Sequence, residues 1–398
     1  MDLFEKCRQE SNADKMERMG VYPYFRPMSS HAGAEVIMQG RRRIMLGSNN
    51  YLGLTERPEI VEAGIRAIEK YGTDTSGSRF LNGTLDLHLE LEREIAQFVH
   101  KEDALAFTTG YQTNLGIIGC IVGHGDFVIS DKENHASIYD ACRLSYGTML
   151  RYKHGDMQDL EAQLRKVPEE SGCLIVTDGI FSMTGEICKL PEICALAKKY
   201  HARVMVDDAH ALGVLGVGGR GTASHFGLED QVDIIMGTFS KSLASLGGFV
   251  AASAEVLRYV RHESRPFIFS TAMAPANCAS ALEALRYLEA HPELVETLSG
   301  ISHHARQAFR RRGLTIMKST TPIIPIYTYE TINTVMKGHI AYEQGVYVNP
   351  VLPPACPPGE GLLRASIMAT HTKAIIDEAA DILADVILNE DYEQWQGQ

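Results

Sequence analysis

Gly237-Thr238-Phe239-Ser240-Lys241-Ser242 stands between two apolar runs, Asp233-Ile234-Ile235-Met236 before it and Leu246-Gly247-Gly248-Phe249-Val250 after it. Short apolar runs bounded by turn residues predict buried strands, so the turn between them carries a lysine flanked by hydroxyls and glycines. Lysine is seldom placed so, because its charge must be paired or left in water. Partial burial lowers a lysine's pKa, and the neutral amine attacks carbonyls to form a Schiff base. Taken alone, the stretch reads first as an exposed lysine in a Gly/Ser loop. Its surroundings reverse that reading.

About thirty residues upstream, Arg203-Val204-Met205-Val206-Asp207-Asp208-Ala209-His210 reads as a buried parallel strand ending in two carboxylates. Open α/β sheets bind ligands beyond the C-terminal ends of their strands. A carboxylate there can pair with a protonated pyridine nitrogen and make the ring a better electron sink. His210 can reach a phenolic oxygen of the same ring, and Asp208 is read as scaffold. The plainer alternatives are a solvated turn for the carboxylates and an ordinary hydrogen-bonded role for His210. Further upstream, Asp131-Lys132-Glu133-Asn134-His135-Ala136-Ser137 follows the apolar Phe127-Val128-Ile129. His135, by itself a structural histidine, can here stack on one ring face while the lysine works from the other. Thr108-Thr109-Gly110-Tyr111-Gln112-Thr113-Asn114 follows Ala104-Leu105-Ala106-Phe107 and opens a helical pattern; free N–H groups at a helix start favour an anion. Together these groups point to pyridoxal 5′-phosphate (PLP), an aldehyde carrying a phosphate.

In this order, the four segments resemble those of the α-oxoamine synthase branch of fold-type I PLP enzymes, which join an amino acid to an acyl-CoA with loss of CO2. The likeness runs from Tyr22 to about Ile387. It includes Gly47-Ser48-Asn49-Asn50-Tyr51-Leu52-Gly53-Leu54, Gly77-Ser78-Arg79-Phe80-Leu81-Asn82-Gly83-Thr84, Asp178-Gly179-Ile180-Phe181-Ser182-Met183 and Leu362-Leu363-Arg364-Ala365-Ser366. It implies an α/β fold of the aspartate aminotransferase type: a mostly parallel central sheet with helices on both faces, plus a smaller C-terminal α/β domain. Tyr24-Phe25-Arg26-Pro27, Ser78 to Thr84 and Phe239 to Ser242 are similar to the bacterial, soluble members that use L-serine and a long-chain acyl-CoA. With palmitoyl-CoA those members give 3-dehydrosphinganine, CoA and CO2, the first step of sphingolipid synthesis. Thr73-Asp74-Thr75-Ser76 departs from the branch, which is richer in glycine at a loop that can shape the acyl end of the site. The alternative is a sister enzyme using glycine or alanine, such as 2-amino-3-ketobutyrate CoA ligase or 8-amino-7-oxononanoate synthase. An aminotransferase and a non-catalytic partner subunit are more distant readings, the latter disfavoured by the presence of Lys241.

The resemblance implies roles residue by residue. Lys241 would hold PLP and take the Cα proton, and Asp207 would keep the pyridine nitrogen protonated. His135 would stack on the ring and orient the substrate, and His210 would polarise the phenolic oxygen. Thr238, Ser240 and the backbone of Gly110 and Tyr111 would bind the phosphate, completed in a homodimer by the partner subunit's Thr271. Arg364, whose guanidinium offers a bidentate fork, would clamp the substrate carboxylate. Asn49 would lie near the substrate, with Ser78 and Arg79 reaching across the dimer interface. No metal is expected.

With 398 residues the chain can bury one large α/β core and a smaller one. A net charge of −12 argues against general nucleic-acid binding. Polyanionic CoA would therefore need a local basic patch; Arg41-Arg42-Arg43 and Arg261, His262 and Arg265 are candidates, each equally readable as surface charge. The eight scattered cysteines lack a Cys-x-x-Cys pair and suit free thiols in a reducing cytosol. The charged start, Met1 to Lys6, has no apolar signal core, and no apolar run is long enough to span a bilayer. A cytoplasmic enzyme with at most transient membrane contact is expected.

Residues 1–45 read as an N-terminal arm with a short polar helix, 46–290 as the large PLP-binding domain and 291–398 as the small C-terminal domain. Strands are expected at about 104–107, 126–130, 148–152, 173–177, 203–207, 233–237 and 248–252, then 325–327 and 346–348. One helix opens at Pro58, suited to the first helical position, with Ile60, Val61, Ile65 and Ile68 on one face. Leu87, Leu91, Ile95, Phe98 and Val99 keep helical spacing, and a final helix carries Ile375, Ala379, Leu383 and Val386. Pro350 to Gly361 is read as a loop. Gly216-Val217-Gly218-Gly219-Arg220-Gly221 satisfies G-x-G-x-x-G literally, yet it follows its strand by about nine residues instead of forming the strand-to-helix turn. A flexible glycine loop near the site is the better reading than a dinucleotide fingerprint.

Overall fold

The computed structural model describes residues 2–389. Met1 of the expected arm and residues 390–398 of the expected small domain lie outside the described residues. The chain opens with a helix, α1 (Asn12–Arg18), and a hairpin, β1 (Glu35–Met38) and β2 (Arg41–Met45). Helices α2 (Pro58–Tyr71) and α3 (Asp86–Phe98) lead to β3 (Asp103–Phe107) and α4 (Gly110–Ile121). Next come β4 (Phe127–Asp131), α5 (Ala136–Leu144) and β5 (Thr148–Tyr152). Strands β6 (Cys173–Asp178), β7 (Arg203–Asp207), β8 (Ile234–Thr238) and β9 (Gly248–Ala252) follow. Beyond two long helices lie β10 (Ile323–Tyr329), β11 (Val346–Tyr347), β12 (Asn349–Val351) and β13 (Gly361–Ser366).

Seven strands make the central sheet in the order β3-β9-β8-β7-β6-β4-β5. Neighbours from β8 to β5 pair in parallel, and β9 alone runs antiparallel to both its neighbours. Chain length explains the exception. A parallel return needs a crossover of about a dozen residues or more, and only nine, 239–247, join β8 to β9. Lys241 therefore sits in a hairpin connection. Apart from the edge strand β5, strand residues are largely buried on both faces, as sheets covered by helices require. Val204 and Val206 of β7 pack into one apolar cluster, Met205 into another on the opposite face.

Two smaller sheets, β1-β2-β11 and β10-β13-β12, build the rest. The N-terminal hairpin is sewn to the C-terminal part of the chain, Val346 pairing in parallel with Ile44. Pro350, read as loop, belongs to edge strand β12 opposite Leu363; an edge tolerates proline because one side needs no ladder donor.

Two local expectations change. In α2 the buried residues are Ile60, Ala63, Gly64 and Ala67, while Val61, Ile65 and Ile68 stay exposed. Small residues win that face because the helix Pro275–Ala290 packs closely: a Cβ on Gly64 would stand 3.0 Å from Ser280 Oγ. The Gly216–Gly221 loop is a packed turn set back from the cavity below. Buried Asp208 accepts from both N–H (2.9 Å) and Oγ1 (2.6 Å) of Thr222, starting a five-residue helix there.

Candidate active site

The carboxyl ends of the parallel strands open into a cavity of about 890 Å3. Lys241, Asp207, His135, His210, Thr238, Ser240, Gly110, Tyr111, Asn49 and Arg364 all line it. Ser78, Arg79 and Thr271 do not line it within the same subunit. They lie apart from it, where Ser78 and Thr271 pair as an isolated bridge. There Arg79 forks onto Glu92 at 2.7 and 3.0 Å in an ion pair whose side chains are 6% and 4% exposed. Breaking such a buried pair costs about 3–5 kcal/mol, so Arg79 is committed to this turn.

The polar side chains around Lys241 are fixed from behind. Asp207, at the end of β7, accepts from Asn114 Nδ2 at 2.8 Å and from the Ala209 N–H at 3.0 Å. Asn114 also donates to Ser137 Oγ (2.8 Å), which lies 2.7 Å from His135 Nδ1. The His135 backbone N–H donates to Asp178 Oδ2 at 3.1 Å. Thus β4, β6, β7 and α4 are tied together around one point. His210 Nδ1 lies 2.7 Å from the Tyr51 hydroxyl. Arg364, on β13, donates from Nη1 to Ser366 Oγ (2.7 Å), from Nη2 to Asn49 Oδ1 (3.2 Å), and from Nε to the Ser182 carbonyl.

Burial and charge tune the titrating groups. Burial pushes the Lys241 amine below its ordinary value; Asp207 and Asp178 oppose this shift and Arg364 adds to it. Burial likewise lowers His135, against the pull of Asp207. His210 falls well below its ordinary value through burial and the nearby Lys241 and Arg364 charges, so its imidazole is neutral near pH 7. Burial, with Asp207 beside it, raises Asp178 well above the carboxylate range. A nucleophilic amine beside a neutral imidazole and a fixed carboxylate is a site equipped for proton transfer at carbon.

The residues also fit PLP. Thr238 Oγ1, Asp178 Oδ1 and Asn114 Oδ1 are buried without a hydrogen-bond partner, unusual enough in folded proteins to ask what they serve. Helix α4 starts at Gly110, where a Cβ would lie 2.3 Å from the Thr238 methyl. The absent side chain leaves the first N–H groups and Thr238 around one anion-sized concavity. Thr109 caps the helix by accepting from the Gln112 N–H at 3.1 Å.

The site residues expected from the sequence do not include Tyr51, Asn114, Ser137, Asp178 and Asn349, nor the second wall of the cavity. Asn12 and Met16 of α1, Pro23, Tyr24, Met183 and residues 350–355 supply that wall. Asp178 had a visible signal, a carboxylate at the end of a strand, and Asn114 lies in the first turns of the helix after β3. Met16 had none. The expected basic patches lie elsewhere: Arg42 pairs with Glu35 and Glu378, and Arg261 with Asp103.

The aminotransferase class I and II family matches the chain over residues 41–383. The chain belongs to that family of fold-type I PLP enzymes, within its α-oxoamine synthase branch. The serine palmitoyltransferase of Bacteroides thetaiotaomicron is 49% identical over 381 residues, 96% of this chain and 97% of that one. An 8-amino-7-oxononanoate synthase of Thermoanaerobacter pseudethanolicus is 41% identical over 367 residues, 92% and 93% of the two chains. A solved structure of SPT with PLP as internal aldimine superposes with a TM-score of 0.94 at 36% identity, covering 97% of this chain and 98% of that one.

Proposed function

We propose that this chain catalyses the PLP-dependent, decarboxylating condensation of L-serine with a long-chain acyl-CoA, palmitoyl-CoA in the first instance, to 3-dehydrosphinganine, CoA and CO2. The observation that carries the reading is one cavity in which Lys241, Asp207, His135 and Arg364 converge on a polar floor beneath an apolar wall. The 49% identity to a serine palmitoyltransferase, against 41% to an oxononanoate synthase, favours serine over glycine or alanine.

Lys241, Asp207, His210, Thr238, Ser240 and the Gly110–Tyr111 backbone would hold PLP, which supplies an electron sink for charge developing at Cα. The Lys241 amine, its pKa lowered by burial, takes the Cα proton and later returns one. Arg364 grips the serine carboxylate, its fork pre-aimed by Asn49, Ser182 and Ser366. His135 fixes the orientation of the bond to be broken, and Asn114 holds Asp207 in place behind it. Met16, Tyr24, Met183 and Leu352 line the side on which an alkyl chain would be shielded from water. The activity is tested by titrating holoenzyme with L-serine, glycine and L-alanine by absorbance, then measuring CoA release over a ladder of acyl-CoA lengths. Absence of serine-dependent CoA release at every length would sink the reading.

The enzyme is proposed to act as a homodimer. Exposed Val61, Ile65 and Ile68 on α2, together with exposed Phe80, Leu81 and Phe269, offer apolar surface for a second copy. Thr271, exposed and bridged to Ser78, is suited to completing the partner's phosphate site. A cytoplasmic location is proposed on the unpaired state of all eight cysteines. No helix among the described residues is long and apolar enough to cross a membrane. The division into an arm to residue 45, a large domain to 290 and a small domain beyond it is retained as a proposal, the arm's hairpin being paired to the small domain.

A further inference from the structure

His154 lies outside the cavity, two residues beyond β5, with a side chain 27% exposed. Its Nδ1 stands 2.9 Å from Asp131 Oδ1 and its Nε2 3.0 Å from Glu186 Oε2. Both ring nitrogens therefore face carboxylates, which only accept hydrogen bonds, so both must donate; the ring is an imidazolium. Burial disfavours that charge, but the two carboxylates outweigh it and push the pKa up to about 10. The Phe181 ring lies edge-on to the imidazole at 4.4 Å.

The two carboxylates belong to different pieces of the site. Asp131 ends β4 and organises the turn that carries His135: its Oδ1 also accepts from the Glu133 N–H (2.8 Å) and its Oδ2 from the Gly155 N–H (3.0 Å). Glu186 lies in the turn closed by the Ile180–Ile187 bridge and by the Phe181 N–H donating to the Glu186 carbonyl at 2.9 Å. That turn presents the Ser182 carbonyl to Arg364 Nε. Its Gly185 carbonyl accepts from Ser319 Oγ and Thr321 Oγ1, both at 3.0 Å, just before β10. One imidazolium thus joins the turn holding His135 to the turn that supports Arg364.

We propose that His154 is a positioning residue, whose two N–H donors lock the Ile180–Ile187 turn against the Asp131 turn and so keep the Ser182 carbonyl where it aims Arg364 at the amino-acid carboxylate. The proposal rests on the reading in which Arg364 grips that carboxylate. Without the clamp, the hairpin is held by Ser319 and Thr321 from one side only, and the guanidinium loses a fixed acceptor. Amino-acid affinity then falls through the carboxylate; Met183 lies on the same turn, so a substrate lacking the carboxylate is the control.

The test is a spectral binding titration of holoenzyme with L-serine and with ethanolamine, its analogue lacking the carboxylate. His154→Ala and Glu186→Gln should each weaken L-serine binding about tenfold, leave ethanolamine binding within twofold, and show no further loss when combined. Unchanged serine binding in both variants would overturn the proposal, as would equal weakening of serine and ethanolamine, the mark of general loosening. If His154→Ala fails to fold, Glu186→Gln, which leaves the Asp131 contact intact, gives the same readout. If the wild type prefers glycine or alanine, the functional reading fails in its substrate, but the test proceeds unchanged with that amino acid.

Discussion

Asp207 ends a strand of the seven-stranded sheet, and Lys241 and His135 sit on turns beside it, whereas Met16 reaches the same cavity from α1, a seven-residue helix that buries none of its residues. The floor is overdetermined. Asp207, Asn114, Ser137 and His135 form one chain of hydrogen bonds between 2.7 and 2.8 Å long, and no member can turn without stranding another. The wall is the opposite case. A helix that short is unstable alone, and α1 relies on a capping box between Ser11 and Asp14. Reacting groups gain from preorganisation, because geometry set before binding need not be set during reaction. A surface that receives a long, featureless alkyl chain gains from adjustability. The two regions should therefore answer mutation differently, the floor in rate and the wall in selectivity.

Lys241→Ala should have the largest effect, because it removes both the anchor of the cofactor and the proton carrier. CoA release should drop by on the order of 10^4-fold, the upper range for a lost acid–base group, while circular dichroism stays unchanged. A loss under a hundredfold would put the proton carrier elsewhere and break the comparison at its floor. Asp207→Asn keeps the shape and deletes the charge. A fall of about 10^2–10^3 is expected in kcat, the size typical of one electrostatic group lost at a developing charge. It should bring little change in KM for acyl-CoA.

Met16→Trp tests the wall. Bulk added to a packed apolar site typically costs about 1–3 kcal/mol, and about 1.4 kcal/mol is a factor of ten. Palmitoyl-CoA should therefore lose about tenfold in kcat/KM relative to octanoyl-CoA, with L-serine binding unchanged. Equal loss for both thioesters would show that α1 supports the floor after all.

The same contrast explains what the sequence disclosed. In the central sheet β5, β7 and β9 lie where they were expected and the other four within a residue, whereas β10 is two residues longer at each end and β1, β2 and β12 were not expected. A strand buried on both faces, such as β7, writes itself as a continuous apolar run. The antiparallel direction of β9 was not among the expectations, although the nine residues separating it from β8 require it. Lys241, Asp207 and His135 announced themselves as polar residues at strand ends. Their supports did not. Tyr51 meets His210 across 159 residues and Asn114 meets Asp207 across 93, and local pattern contains no register for such pairs. The exposed stripe of α2 misled for a related reason. Val61, Ile65 and Ile68 are as apolar as core residues, and only the close approach of the helix Pro275–Ala290 determines which face is buried.

His154 gives the smallest effect and the sharpest link between the halves of the floor. Its folded pKa is about 10 against an ordinary 6.5, so between those values the folded chain keeps a proton that the unfolded chain has released. Stability then falls with rising pH across that window. The contribution is whole below about 6.5 and gone once pH has risen through about 10. The Tm gap between wild type and His154→Ala should accordingly shrink as pH climbs from 6 to 10, at roughly 2–4 °C per kcal/mol or less for a chain of this size. Glu186 is 46% exposed and Asp131 2%; salt screens the first contact and largely spares the second. A gap that is flat with pH would mean that the imidazole is neutral and bonded to only one carboxylate, and the two turns would then be held apart from one another.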